Sequence, residues 1–336
     1  MKPDLIINFR KIRLKSMKNN QSIIFLLFLT VLSLYITTCT KDEDSVKLSK
    51  EEITNNLNAE ISADTLESLV TWMQGMGTRF ALSDNHRNVA LKIKNRFKMM
   101  GYSDTRIDSF MINKTYNNII YQQWQYNVIA TLEGSTNPDS VCILGAHYDN
   151  ILKSGTGNPF ISANGANDNA SGVAAALEIA RVMKKNNYSP GNTIKFIAFG
   201  AEELGLFGSF DLSGKSKINN EKIKMMLNND MIAYEPTSDK KNWFVDIMDY
   251  DNSHDLRLRA QDLTVKYTVL NHVNVNTYNK QSDSYPYFVN GFKAIFFFSN
   301  ASDPNIHTLN DNITNCNFEY CREIVKISCA LLVDNN

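Results

Sequence analysis

Apolar positions in 63–75 recur at helical spacing, with Leu66, Leu69, Val70, Trp72 and Met73 falling on one face. Val89, Leu91, Ile93 and Phe97 repeat the pattern over 86–100, and Gly101 follows as a stop signal. Two short apolar runs come next, YNVIATL at 126–132 and SVCILGA at 140–146, with a turn-like stretch between them that reads as strand, turn, strand. ASGVAAALEIARVMK, residues 170–184, predicts a strong helix that Asn169 or Ser171 can cap. TIKFIAF at 193–199 is a wholly apolar strand, and a helix is expected to start near Glu202. Strands are predicted over 222–230, 242–249 and 293–298, and helices over 253–266 and 317–333. Alternating strands and helices, with strands apolar along their whole length, predict an α/β fold. The expected architecture is a mixed, mostly parallel central β-sheet with helices on both faces.

The N-terminal part follows a different pattern. Residues 23–36 read IIFLLFLTVLSLYI, an apolar run of signal-peptide length, preceded by Arg10, Lys11, Arg13, Lys15 and Lys18. Met17 can serve as an alternative start. The run ends at Thr37-Thr38-Cys39, which resembles a bacterial lipoprotein processing site, and 40–44 adds acidic residues. The reading is a signal peptide over 1–39 with a lipidated Cys39, a polar tether over 40–50, and one domain over 51–336. The implied location is the bacterial cell envelope, with the membrane reached only through the lipid.

Composition narrows the function. Hydrophobic residues make up 43% of the 336 residues, enough for a sizeable core. The formal net charge is zero, so the chain lacks the basic surplus that nucleic acid draws on, and no nucleic-acid partner is expected. Beyond Cys39, Cys142, Cys316, Cys321 and Cys329 remain. No pair has zinc-ribbon spacing; Cys142 reads as a buried thiol, and Cys316 with Cys321 is the nearest candidate for a disulfide. Any metal must therefore be held by histidines and carboxylates.

Five such residues lie at or near the ends of apolar runs, where sites form in α/β sheets. They are His147 in GAHYDN, Asp168 in GANDNASG, Glu203 in FGAEELGLFGS, Asp230 in NNDMIAY and His307 in PNIHTLNDN. Each has an ordinary explanation by itself: a hydrogen-bonded His-x-Asp pair, a helix cap, acids at a helix start, a strand-end turn. Together they supply the set a two-metal hydrolase needs, a bridging carboxylate plus two further ligands per metal, with the metals roughly 3.5–4 Å apart. Glu202, next to Glu203, is positioned by sequence to act as general base.

These strings resemble peptidase family M28, the zinc aminopeptidases typified by bacterial leucyl aminopeptidases, over nearly all of 65–332. Gly77-Thr78-Arg79-Phe80 adds to the likeness. The resemblance implies two Zn²⁺ ions, one held by His147 and Asp230, the other by Glu203 and His307, with Asp168 bridging. It also implies Glu202 as base, Asp149 hydrogen-bonded to His147 so as to fix its tautomer, and a cis peptide at Asp168-Asn169. Two departures stand out: Asn167 where the family often has Asp, and Ser284 where Ser-Asp-His is frequent, which would alter the pocket wall. The implied substrates are peptides, trimmed from the N-terminus. The alternatives are a single-zinc glutaminyl cyclase of the same fold, whose pattern lacks the histidine found here at 147, and an inactive peptidase-fold binding domain. Loops 150–164 and 233–243 are expected to build the specificity pocket.

Overall fold

The alternation along β3 (Asn137–His147) shows how the layers arise. Cys142, Leu144 and Ala146 belong to one apolar cluster, whereas Val141 and Ile143 belong to another. Successive side chains of a strand point to opposite faces, so a strand apolar at every position must be covered twice. The computed structural model describes residues 48–336, and the readings made for 1–47 (signal peptide, lipidated cysteine, most of the tether) lie outside them.

The helices are α1 (Lys50–Ala59), α2 (Ala63–Gln74), α3 (His86–Met99), α4 (Ser171–Lys185), α5 (Phe207–Ile218), α6 (His254–Tyr267), α7 (Ser284–Val289) and α8 (Phe318–Asp334). The other strands are β1 (Thr105–Tyr116), β2 (Ile119–Leu132), β4 (Asn192–Phe199), β5 (Lys222–Asn229), β6 (Phe244–Met248), β7 (Asn271–Val273) and β8 (Ala294–Ser299). They form one eight-stranded sheet in the order β1-β2-β4-β3-β5-β8-β6-β7. The central run β4-β3-β5-β8 is parallel throughout, and antiparallel pairs flank it. The larger cluster joins α2, α3, α4, α6 and α8 to one face; α5 and α7 contribute Leu212 and Tyr287 to the cluster on the other. Helix α8 is buried along most of its length, including Ile324, Ile327 and Leu331. Truncating Leu331 to alanine is expected to cost about 2–5 kcal/mol.

Three elements depart from the sequence reading. The strand-turn-strand segment is not a hairpin: β4 lies between β2 and β3, antiparallel to one and parallel to the other. The true hairpin is β1-β2, closed by Asn117-Asn118 with both φ positive, at 49° and 62°, as a tight hairpin turn requires. Strand β1 carries its buried positions sparsely, at Phe110 and Ile112, among charged and polar neighbours, which hides it from a hydrophobic scan. The helix expected near Glu202 starts at Phe207. The stretch between is a turn with Ala201 at φ 57°, Gly205 at φ 128° and Leu206 at φ 58°. Ser49 and Glu52 form a capping box that starts α1 at Lys50.

Candidate active site

The parallel strands deliver the chemistry to one edge. His147 ends β3, Asp230 directly follows β5, and Glu202 with Glu203 lies in the turn after β4. Asp168 precedes α4, and His307 sits in the loop after β8. This is the carboxyl edge of the sheet, where loops from neighbouring strands converge. The peptide bond Asp168-Asn169 is cis.

Asp168 stands between two groups of side chains. Its Oδ1 is 3.2 Å from His147 Nε2, and the same nitrogen is 3.3 Å from Asp230 Oδ1. Its Oδ2 is 3.0 Å from His307 Nε2, which is 3.1 Å from Glu203 Oε2. Glu202 Oε2 lies further off, 3.9 Å from His147 Nε2. Zinc bonds of about 2.0–2.1 Å in a tetrahedron place neighbouring ligand atoms about 3.3 Å apart, so both groups fit zinc. Asp230 Oδ1 and Glu203 Oε1 are buried without a hydrogen-bond partner, a cost that ligation removes. His147, Asp168, Glu202 and Asp230 are all buried, and His307 is the most exposed of the set.

The electrostatics agree with this geometry. Burial disfavours a charged His147, but Glu202, Asp230, Asp149 and Asp168 outweigh it and raise its pKa well above the ordinary value. Burial likewise acts against the charge on His307, and Asp168 with Glu203 pushes it up to about 11. Burial raises the Asp168 carboxyl, yet hydrogen bonds from the two histidines bring it below the usual carboxylate range. Burial first, then Asp168, pushes Glu203 up to about 7. Glu202 is held well above the ordinary carboxylate value by burial, against the pull of His147 and with help from Glu203, Asp283 and Asp230. A carboxyl displaced upward is one suited to carrying a proton near neutrality.

The model of peptidase family M28 matches residues 127–332. The chain belongs to peptidase family M28. Among its relatives is a probable leucine aminopeptidase of Trichophyton verrucosum, 32% identical over 212 residues, 60% of this chain and 54% of that one. The chain spans about half the length of the first curated relatives it matches. Among solved structures, the LapA aminopeptidase of Legionella pneumophila has the same fold, with a TM-score of 0.70 at 22% identity, covering 86% of this chain and 75% of that one. A glutaminyl cyclase of Bacteroides thetaiotaomicron also shares it, with a TM-score of 0.65 at 16% identity, covering 82% and 98%.

The M28 chain holds its site with residues that the sequence reading undervalued. Asp149 was expected to hydrogen-bond His147 and fix its tautomer, and it does so through its main chain. The nearer contact to His147 Nδ1 is the Asp149 main-chain carbonyl, at 3.1 Å, with the carboxylate at 3.7 Å. That carboxylate instead accepts the backbone N–H of Glu202 at 3.0 Å and of Glu203 at 3.2 Å. Those bonds anchor the two glutamates, while positive φ at Gly205 and Leu206 delays the start of α5 to Phe207. Asp311 does the same for Asp168, accepting the backbone N–H of Asn167 at 2.7 Å and of Asp168 at 3.0 Å. Arg79 is fully buried and donates to the carbonyls of Tyr148, Asn164 and Gly165, which ties the 77–80 segment to the loop carrying Asp168. Ser282 Oγ donates to Asp230 Oδ2 at 2.6 Å.

The residues around Asp168 also hold the strand end that carries Asp230. Asn169 Nδ2 donates to the Asn229 carbonyl, Ile232 N to Ser171 Oγ, and Ala233 N to Asn167 Oδ1. Asn167 Nδ2 in turn donates to Asp303 Oδ2 at 2.9 Å. An aspartate at 167 would have no such donor, so the departure from the family at this position is matched by Asp303.

The cavity above the site has a volume of about 290 Å³. Its walls come from Met231, Asp246, Tyr278, Gln281, Phe296 and Phe298, with further residues from 300–307. This corrects the expectation that loops 150–164 and 233–243 build it, because strands β6 and β8 bring their own side chains to the surface here. Ser284 does not line the cavity; it lies buried with its Oγ 2.9 Å from Tyr250 Oη. All four cysteines among the described residues are free, Cys316 and Cys321 included. Burial pushes the Cys142 thiol up to about 11.

Proposed function

We propose that this chain is a two-zinc aminopeptidase that removes N-terminal residues from peptides. One observation carries the reading: the two carboxylate oxygens of Asp168 address two different histidine and acid groups, at 3.2 Å and 3.0 Å. A carboxylate so placed serves as a bridge. His147 and Asp230 would hold one zinc, Glu203 and His307 the other, with Asp168 common to both.

When bound, the ions supply Lewis acidity toward the scissile carbonyl and the attacking water. The chain's own groups do the rest. Glu202 removes a proton from the water as its oxygen bonds to the carbonyl carbon. As the carbon–nitrogen bond breaks, the same carboxyl passes that proton to the leaving amine, and the water's remaining hydrogen stays with the new carboxylic acid. The Asp149 main-chain carbonyl accepts Nδ1–H of His147, leaving Nε2 free to ligate. The Asp149 carboxylate fixes the backbone of Glu202 and Glu203, so base and ligand move as one unit.

The test is zinc content together with cleavage of aminoacyl-arylamides. About two zinc ions per chain, with cleavage lost on chelation and restored by zinc, supports the proposal. The single-zinc cyclase reading draws on the shared fold. The pairing of His147 Nε2 with Asp230 Oδ1 at 3.3 Å completes a second ligand group and favours two ions. One zinc per chain and cyclisation of N-terminal glutamine would reverse that choice. We also propose export and lipid attachment at Cys39, from the apolar run 23–36 and the small residues before the cysteine. Labelling with a fatty acid in cells, absent in Cys39→Ala, is the corresponding check.

A further inference from the structure

Asp246 is an acid in an unexpected place. It sits in the middle of β6, between Val245 and Ile247, which are buried in the main core. Strand alternation turns Asp246 to the opposite face, where its register partner on β8 is Phe298 and the next pair on that face is Met248 with Phe296. This face opens on the cavity of the catalytic edge. Asp246 itself is only 6% exposed. Asn300 Nδ2 donates to its Oδ1 at 2.7 Å, and Oδ2 takes no hydrogen bond from the described residues.

The rest of the cavity defines what could meet that oxygen. Its lining includes the carboxylates Asp168, Glu202, Glu203, Asp230, Asp246 and Asp303, and no lysine or arginine. Four of these belong to the reaction. Asp303 is satisfied within the protein, by Asn167 Nδ2 at 2.9 Å and by the Asn305 N–H at 2.8 Å. Asp246 alone has an oxygen left for a ligand. Aromatic rings line the same cavity: Tyr278 and Phe298 have centroids 5.6 Å apart, as do Phe296 and Phe298. Aromatic walls beside a carboxylate with a free oxygen suit an alkyl stem that ends in a cation, and aromatic faces add attraction for a guanidinium or ammonium. An unbranched hydrocarbon would leave the acid without a donor, which buried acids tolerate poorly. Burial pushes the Asp246 carboxyl above its ordinary pKa, with the Asn300 bond opposing, and a cation beside it would favour the charged form.

We propose that Asp246 determines specificity, and that this site takes peptides whose N-terminal residue is arginine or lysine. The stem lies against Phe296, Phe298 and Tyr278, and the cationic end pairs with Asp246. The inference rests on the aminopeptidase reading and goes beyond it by naming the side chain selected.

The experiment compares kcat/KM of the full-length, zinc-loaded protein on the arylamides of arginine, lysine, leucine and phenylalanine, for the natural chain and for Asp246→Asn. The natural chain is expected to prefer arginine and lysine by about tenfold or more. In Asp246→Asn the arginine-to-leucine ratio should fall about 10- to 100-fold, chiefly through KM, at unchanged zinc content. A natural chain that prefers leucine or phenylalanine overturns the inference and leaves the aminopeptidase reading standing. So does a ratio that the substitution does not move. No cleavage of any arylamide overturns the reading itself, and the inference with it. The natural chain's preference decides the matter even if the variant fails to fold.

Discussion

Asp149 Oδ1 accepts the backbone N–H of Glu202 at 3.0 Å, and its Oδ2 accepts that of Glu203 at 3.2 Å. One buried side chain thereby sets the backbone of both the proposed base and a proposed zinc ligand. Asp149→Asn keeps the shape but turns an amide N–H toward one of these donors. Activity is expected to fall about 10- to 100-fold, since misplacing catalytic groups by an ångström costs that much. Steady-state kinetics beside zinc content test this; a kcat within twofold of the natural chain's would remove Asp149 from the positioning role.

Glu202→Gln separates proton transfer from metal binding. Glutamine fills the same space, and Glu202 lies farther from His147 Nε2 than Asp168 and Asp230 do. Turnover should drop about 10²- to 10⁴-fold with zinc content unchanged. Retained turnover would show that the proton travels by another group.

Zinc affinity should rise with pH. In the metal-free protein His307 is pushed up to about 11, and His147 is raised as well, so both carry protons at neutrality. A ligating histidine must be neutral, so zinc displaces these protons as it binds. Each displaced proton makes the apparent affinity climb about tenfold per pH unit, and metal is lost as pH falls. Competition with a chelator between neutral and alkaline pH measures the slope, and a flat profile would contradict the charge assignment.

Gly172 allows α4 to meet the end of β5. A Cβ there would collide with the Asn229 carbonyl oxygen and stand 2.6 Å from Asn169 Oδ1 and 2.9 Å from Ala146 Cβ. Gly172→Ala should destabilise the fold by about 1–3 kcal/mol, lowering the thermal midpoint and loosening Asp230. Calorimetry with zinc titration would detect both effects, and an unaltered midpoint would mean that the junction yields easily.

Much of the fold was legible in the chain. Helices α2, α3, α4 and α8 advertise themselves through apolar spacing, and β4 through an unbroken apolar run, because both patterns follow from how many faces an element buries. The ligand candidates were legible for a similar reason, since metal-binding side chains have few substitutes and sit at strand ends. Strand β1 was hidden because an edge strand buries only part of one face. The turn at Glu202 was hidden because left-handed backbone at Gly205 and Leu206, which breaks the helix, leaves no mark in the apolar pattern, and the carboxylate that anchors the turn, Asp149, lies more than fifty residues earlier.

The sequence by itself determined which elements form and which residue types are available for chemistry, because periodicity and side-chain identity are local properties. Only the tertiary structure decided that Asp149 serves the backbone of the glutamates as well as His147, and that Asp246 reaches the catalytic cavity. Those outcomes depend on strand order and register. A cavity lined by β6, β8 and the segment just after β5 joins positions that no spacing along the chain relates.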